Sequence, residues 1–353
     1  MSKIFVGMSG GVDSAVSAAI LLRDGHDVTG VFMKNWSGDD LGIDDQCPWQ
    51  EDMDYAQKAC EKLNIPFISY NFEKEYRESV ISNFYEEYER GNTPNPDILC
   101  NSFIKFDVFM KRAIEDGADL IATGHYARTE DGSLFKATDR SKDQTYFLSG
   151  LTEEQLSKAY FPLHSMKKSE VRKLAAELGL PNATRKDSQG ICFVGKVDIQ
   201  DFLSLRLKEI YGEIVDVDTD EVVGEHNGVW FYTNGQRKGL QIGGLEQPYF
   251  VACKDVENNR LYVANGKKHP QLWSNTISTE PFQFINQDEK LEGELTAQIR
   301  YRSEPTAVKF QDGKFVFKKP LWAPSKGQSL VVYRGEKCLG RGIITEWEPA
   351  VTL

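Results

Sequence analysis

The chain contains no uninterrupted apolar stretch approaching the ~20 residues that cross a bilayer, so no membrane-spanning segment is read in it. Its six cysteines, at 47, 60, 100, 192, 253 and 338, include no C-x-x-C pair and no regular framework. That excludes a disulfide-stapled scaffold and fits reduced thiols in a cytosolic enzyme. The chain opens directly on a strand-like run with no signal or transit peptide read before it, and the cytoplasm is the expected compartment. A surplus of basic charge is missing as well. The formal net charge is −11, which argues against a protein that grips nucleic acid by charge alone. The deficit is uneven: residues 276–353 hold 11 Lys and Arg against 10 Asp and Glu, whereas residues 1–275 carry a net −12. Any RNA contact therefore falls to local patches, with a plain solvated surface as the alternative. Internal repeats and low-complexity linkers are absent.

The richest segment is the run from Phe5 through Gly7, Met8, Ser9, Gly10, Gly11, Val12, Asp13 and Ser14. Residues 4–6 read as a buried strand, 15–22 as a helix ending near Gly25, and the small residues between them as a loop. Strand, glycine loop and helix N-terminus in that order make an anion-binding corner, because unpaired backbone N–H groups and the helix dipole converge there. The loop is not a Walker A motif, since the lysine of G-x-x-x-x-G-K-[ST] is missing. A carboxylate, Asp13, stands in the cradle instead. Bare, it would repel a phosphate, so it implies a bridging Mg²⁺ or a pyrophosphate held by a cation and hydroxyls. A Gly-Ser turn with a helix-capping Asp is the plainer reading, and the full strand–hexapeptide–helix order speaks against it. This hexapeptide resembles the PP-loop of the N-type ATP pyrophosphatases, which split ATP between its α and β phosphates.

At 353 residues, two or three domains are expected. Residues 1–205 alternate strand-like runs (28–33, 66–70, 119–124) with helical ones (52–63, 76–90, 105–115), which predicts an α/β domain with a parallel sheet covered on both faces. Gly7, Met33 and Gly124 fall at the C-terminal ends of strands, where such sheets bind ligands. From 206 the texture turns β-rich. Short runs such as 228–233 and 248–252 suggest a small central domain over 206–275. Alternating runs at 295–301, 307–310, 315–317 and 330–333, with a hairpin turn at Asp312-Gly313, suggest a β-barrel over 276–353.

Two cysteines do not read as packing. Cys100 ends a loop containing Thr93, Pro94, Asn95, Pro96 and Asp97, which reads as rigid and non-helical over 91–101. Cys192 lies in a glycine-bracketed segment after Arg185 and Lys186, a basic flank suited to a thiolate. Cys60, Cys253 and Cys338 are assigned to packing, and Cys47 is left open. A loop that splits ATP, joined to two loop thiols, suggests adenylation of a carbonyl oxygen followed by displacement by sulfur from a persulfide.

Further motifs fall in order along the chain: Thr93 to Asn101, Thr123-Gly124-His125-Tyr126, Lys142-Asp143-Gln144-Thr145-Tyr146-Phe147-Leu148, Asp187-Ser188-Gln189-Gly190-Ile191-Cys192-Phe193 and Gly235-Gln236-Arg237-Lys238-Gly239-Leu240. Together with Gly7 to Ser14, this ordered set resembles the tRNA-specific 2-thiouridylase family over nearly the whole chain. The resemblance implies replacement of the C2 oxygen of the wobble uridine (position 34) in tRNAs for lysine, glutamate and glutamine. ATP, with Mg²⁺, would sit on residues 7–14, Met33 and Gly124. Cys192 would carry the persulfide received from a sulfur-relay donor protein, and Cys100 would be its nucleophilic partner, the two passing through a transient disulfide. Asn95, Pro96 and Asp97 would meet the target base, with Asp97 a candidate acid/base. Lys142, Asp143, Gln144, Arg300 and Tyr301 would touch the tRNA. The implied architecture is a PP-loop domain, a small central β-domain and a C-terminal β-barrel, acting as a monomer. No protein metal site is assigned.

Alternatives stay open. A PP-loop enzyme forming a C–N bond would explain the loop but leave both cysteines idle. Asp97, Cys100 and Cys192 could instead ligate an iron–sulfur cluster. A non-enzymatic RNA-binding module fits the acidic charge poorly. Taken alone, residues 142–144 could be a helix-start turn and 300–301 an outward-facing strand pair. The chain departs from the family's usual wording at Asn234, where an apolar residue is expected. His125 reads as a wall of the site without a catalytic role.

Overall fold

The computed structural model describes residues 1–37, 49–186, 199–243 and 247–350. Its first part is built on a parallel sheet of five strands. They are β1 (Lys3–Gly7), β2 (Asp27–Lys34), β3 (Phe67–Asn71), β4 (Leu120–Ala122) and, after a hairpin of β5 (Ala127–Glu130) and β6 (Ser133–Lys136), β7 (Ala159–Tyr160). The order is β3-β2-β1-β4-β7, so the chain winds one way from β1 and then the other. The gap between the ends of β1 and β4 is the reversal point where open α/β sheets bind ligands. Alternate residues of one strand enter two different cores: Ile4 and Val6 join one cluster and Phe5 the other. That is why the strand reads as a continuous apolar run rather than an alternating one.

One face is covered by α1 (Val12–Arg23), α2 (Trp49–Leu63) and the helix Lys168–Glu177, through Val16, Ile20, Ala56, Cys60, Val171 and Ala175. The other face is covered by two long helical runs. Glu73–Tyr76, Arg77–Ile81 and Ser82–Glu89 follow one another with a π-type middle. Pro96–Leu99, Cys100–Val108 and Phe109–Glu115 do the same. This second run corrects the reading of 91–101 as wholly non-helical. The Asn95 side chain accepts the Ile98 N–H at 3.2 Å, and Pro96 takes the first helical position, where its missing N–H leaves nothing unpaired. The prolines therefore mark a helix start. Cys100 sits one turn inside the helix and is fully buried.

β8 (Gly212–Asp216), β9 (Val222–His226), β10 (Tyr249–Asp255) and β11 (Arg260–Asn265) form a four-stranded sheet in the order β10-β11-β8-β9. The strand expected over 228–233 is instead a short 3₁₀ turn, Val229–Phe231, entered through Gly228 at φ +138°. Cys253, expected to pack, is exposed on β10, whereas Cys60 and Cys338 are buried. Burial pushes the thiols of Cys60 and Cys338 up to about 12, which keeps them protonated. Cys47 lies outside the described residues.

The last part is a closed antiparallel barrel of six strands. These are β12 (Trp273–Thr279), then, past the short β13 (Gln283–Phe284), β14 (Leu295–Gln298), β15 (Thr306–Gln311), β16 (Lys314–Trp322), β17 (Ser329–Arg334) and β18 (Lys337–Pro349). Pairing runs β12-β16-β15-β14-β17-β18, and β18 returns to β12. Asp312 and Gly313 (φ +52° and +77°) make the tight turn between β15 and β16, as their sequence predicts. The run expected over 295–301 stops at Gln298, and Arg300 and Tyr301 lie in the turn beyond it, so they are not a strand pair. The β5–β6 hairpin of the first part leaves its own sheet and adds to the barrel, Phe135 pairing with Lys337 and Leu134 with Cys338.

Candidate active site

The loop after β1 is shaped by its own small residues. Met8 N–H donates to Val31 O (2.7 Å), the Ser14 hydroxyl donates to Gly11 O (3.0 Å) and accepts from Ser9 N–H (3.2 Å). Side chains of Met8 and Val12 enter the core, so these two residues face the loop only through backbone. Gly10 has φ +74°, and a Cβ there would lie 2.4 Å from Asp52 O. Gly11 precedes α1 without any side-chain cap, which leaves the first N–H groups of the helix for a ligand. Gly124, just past β4, backs directly onto the loop: a Cβ would stand 2.8 Å from Asp13 C and from Ser14 N. Met33 is buried against Gly7.

Asp13 is not bare. Lys168 Nζ reaches both carboxylate oxygens at 2.7 Å, and the Tyr126 hydroxyl donates to Oδ1 at 2.8 Å. A cation beside the carboxylate is thus supplied by the chain itself. Behind the loop, Asn182 Nδ2 donates to Gly11 O (3.0 Å) and Gly10 O (3.3 Å), and Arg185 donates to Gly10 O (3.2 Å). Holding these carbonyls outward turns the loop's N–H groups inward. Arg185 also pairs with Asp52 at 2.6 Å. Its charge serves the loop; Cys192, which it was read as flanking, lies outside the described residues. His125 is buried, bonds Thr123 Oγ1 through Nδ1 (2.7 Å), and burial holds it well below its usual range, so it stays neutral.

Asp97 lies in the first turn of the helix that carries Cys100 one turn later, an i, i+3 spacing that puts both on one face. The approach to this helix is clamped by the barrel. Thr93 N–H donates to Lys326 O (2.7 Å), and Gln328 Nε2 donates to Thr93 O (2.7 Å) and Pro94 O (3.2 Å). An open cavity of about 350 Å³ lies there, lined by Thr93, by Asn234 and Gln236 of the central part, and by Arg300 and Gln328 of the barrel. Arg300 donates to Ala323 O (2.6 Å) and Asn234 O (3.2 Å). The Asn234 side chain donates to Pro324 O (3.0 Å), so the polar residue at that position ties the central part to the barrel. Tyr301 packs on Phe147, ring centroids 4.3 Å apart, and the Tyr146 hydroxyl bonds Ser329 O at 3.0 Å.

Three family profiles match in succession: tRNA methyl transferase HUP domain over residues 2–196, tRNA methyl transferase PRC-barrel domain over 200–265, and Aminomethyltransferase beta-barrel domain over 274–344. The tRNA-specific 2-thiouridylase of Geobacillus kaustophilus is 48% identical over 98% of this chain and 95% of its own length. That of Chromobacterium violaceum is 47% identical over 97% and 92%, and that of Bacillus licheniformis 44% over 98% and 95%. The chain belongs to the tRNA-specific 2-thiouridylase family. Among solved structures, a 4-thiouridine synthetase–RNA complex with bound ATP aligns at a TM-score of 0.35, 19% identical, over 55% of this chain and 46% of that one.

Of the residues that the 2-thiouridylase resemblance singles out, the structure brings Gly7 to Ser14, Met33 and Gly124 together at one sheet edge, and sets Thr93 and Arg300 at one cavity beside Gln328, which the sequence did not mark. Asp143 and Gln144 are turned to their own backbone: Asp143 accepts from Ala137 N–H (2.7 Å) and Gln144 from Tyr126 N–H (2.9 Å). Burial raises the Asp143 carboxyl above its usual range. Cys192 and the rest of its motif lie outside the described residues. Among the described residues no group of three or more His, Cys, Asp or Glu side chains could hold a metal; the cluster reading includes Cys192, which is not among them. No helix of the described residues is long and apolar enough to cross a membrane. The sequence reading missed Lys168 and Asn182 altogether. Nothing local marks either residue, since each acts on a loop more than 150 positions away.

Proposed function

We propose that the protein is an ATP-dependent tRNA-uridine 2-sulfurtransferase acting on the wobble uridine of tRNAs for lysine, glutamate and glutamine. What supports this is the 48% identity to a tRNA-specific 2-thiouridylase over 98% of the chain, together with the uncapped start of α1 over a serine-lined loop. ATP lies on residues 7–14 with Met33 and Gly124, and Mg²⁺ arrives with its phosphates. The uracil C2 oxygen attacks the α-phosphorus as the N3 proton leaves. The bond from the α-phosphorus to the bridging oxygen breaks, and its electron pair departs with pyrophosphate. The base is then O-adenylated at C2.

A donor protein has meanwhile loaded Cys192 as a persulfide. The Cys100 thiolate attacks the inner sulfur, forming a Cys100–Cys192 disulfide and releasing sulfide. Sulfide adds to C2 and AMP leaves with the C2–O electron pair. Two external thiols then reduce the disulfide, restoring both cysteines and ending as a disulfide themselves. Asp97, one helical turn from Cys100, is suited to take the thiol proton. Asn95 and Pro96 flank the base, and Lys142, Asp143, Gln144, Arg300 and Tyr301 border the RNA, with Asp143 and Gln144 shaping the turn rather than reaching out. One copy suffices for every step, and the cytoplasm supplies tRNA, ATP and thiols together.

The test is single-turnover transfer of ³⁵S to unmodified tRNA with Mg-ATP and a persulfide donor. Wild type is compared with Cys100→Ser and Cys192→Ser, with trapping of protein-bound persulfide. Label parked on Cys192 in the Cys100→Ser protein, with no thiolated tRNA from either variant, is expected. Thiolation surviving both substitutions would leave only an adenylating enzyme.

A further inference from the structure

We infer that Lys168 is the pyrophosphate-holding residue of this site, doing from a distant helix what a loop lysine does in Walker-type NTPases. The inference rests on the reading that ATP is cleaved between its α and β phosphates. Lys168 opens the helix Lys168–Glu177, and a cation in the first turn works against that helix's own dipole. Local helix stability therefore does not account for it. The helix's start is served by other groups: Asp139 accepts the Lys168 N–H (3.0 Å) and Glu170 accepts the Lys167 N–H (2.7 Å). The ammonium instead crosses to the start of α1 and meets both oxygens of Asp13 at 2.7 Å.

The surroundings are arranged for more negative charge than one carboxylate brings. The start of α1 has no side-chain cap, the Ser9 and Ser14 hydroxyls lie 3.4 Å apart at the same place, and Asn182 and Arg185 hold the loop carbonyls away. The Lys168 side chain is 12% exposed and that of Asp13 30%, so the pair is sheltered yet reachable from the mouth. Asp13 then acts as the positioning residue. It holds the ammonium at the loop before nucleotide enters, and the phosphates share that charge on arrival. As the bridging oxygen gains its electron pair, Lys168 and the α1 N–H groups stabilise the developing pyrophosphate charge. The missing Walker lysine is thus replaced by one 155 residues downstream of Asp13.

The test uses the full chain and inorganic pyrophosphate as the calorimetric probe, with magnesium chelated. Lys168→Met should weaken pyrophosphate binding by about tenfold or more while AMP binding changes by less than about twofold, the scale expected for one charge-assisted contact. Lys168→Arg should retain most of the affinity. Because Lys168→Met strands Asp13, the double variant Asp13→Asn/Lys168→Met is measured with it. That protein should melt close to wild type and still bind pyrophosphate weakly. Wild-type pyrophosphate affinity in the double variant would overturn the inference and reduce Lys168 to a partner of Asp13, as would a wild type that binds no pyrophosphate. Lys168-dependent binding by a protein that cleaves ATP to pyrophosphate with tRNA yet transfers no sulfur would uphold the inference and sink the thiolation reading.

Discussion

Two helices carry candidate site residues in their first turns, and they begin differently. α1 follows Gly11, whose lack of a side chain leaves the helix start uncapped. The helix of Cys100 follows Asn95, whose amide oxygen takes the Ile98 N–H, and opens on a proline. The first start keeps its donors for a visitor and the second consumes them internally. A helix N-terminus is thus an anion site only where the preceding residue declines to cap it. The closed start gains rigidity instead, and that holds Asp97 at the rim with Cys100 one turn deeper in the core.

That contrast can be broken at its strongest point first. Gly10→Ala sets a Cβ against Asp52 O at a positive φ, and should cost at least about 2 kcal/mol in urea denaturation and abolish ATP binding. Next is His125, which follows Gly124 and packs on Phe106 of the Cys100 helix. Its folded form is neutral and its unfolded form protonates below about 6.5. The unfolded chain therefore binds more protons there, and stability should fall as pH drops below that value, by up to about 1.4 kcal/mol per unit. Urea titrations at pH 7 and 5.5 check this, and His125→Gln should flatten the slope.

Asn95→Ala opens the closed start and should cost about 1 kcal/mol, with a larger fall in sulfur transfer than in ATP binding. The smallest effect sharpens the comparison most. Gly11 has φ −79° and ψ 160°, a conformation any residue adopts, so Gly11→Asp should cap α1. It should gain a few tenths of a kcal/mol in stability and yet weaken ATP binding measurably by calorimetry. A capped α1 that binds ATP unchanged would refute the account of the two starts.

The open start was legible because its chemistry is consecutive in the chain: Gly7 to Ser14 carry strand end, loop and helix start in one run. The barrel's alternating strands and the Asp312-Gly313 turn were legible for the same local reason. What failed were places where a local signal has two meanings. Pro94 and Pro96 read as a loop but prime a helix. The aromatic run 228–233 reads as a strand, yet Gly228 at a positive φ turns it into 3₁₀. Cys253 sits in an apolar run and still faces outward. Lys168 and Asn182 were hidden because their value to the loop lies in contacts across 155 or more positions, and Arg185 was noticed without its tie to Gly10 for the same reason. Barrel closure and the annexed β5–β6 hairpin are likewise pairings, which periodicity cannot announce.

That hairpin sets an order of events during synthesis. Leu134 and Phe135 emerge from the ribosome about 200 residues before Cys338 and Lys337, the partners they pair with. Until then β6 presents an open edge, able to template pairing with a neighbouring chain. A nascent or prematurely stopped polypeptide therefore carries a sticky strand inside an otherwise completed nucleotide-binding half. Chaperone capture and proteolytic triage should discriminate such fragments from the finished protein at this strand.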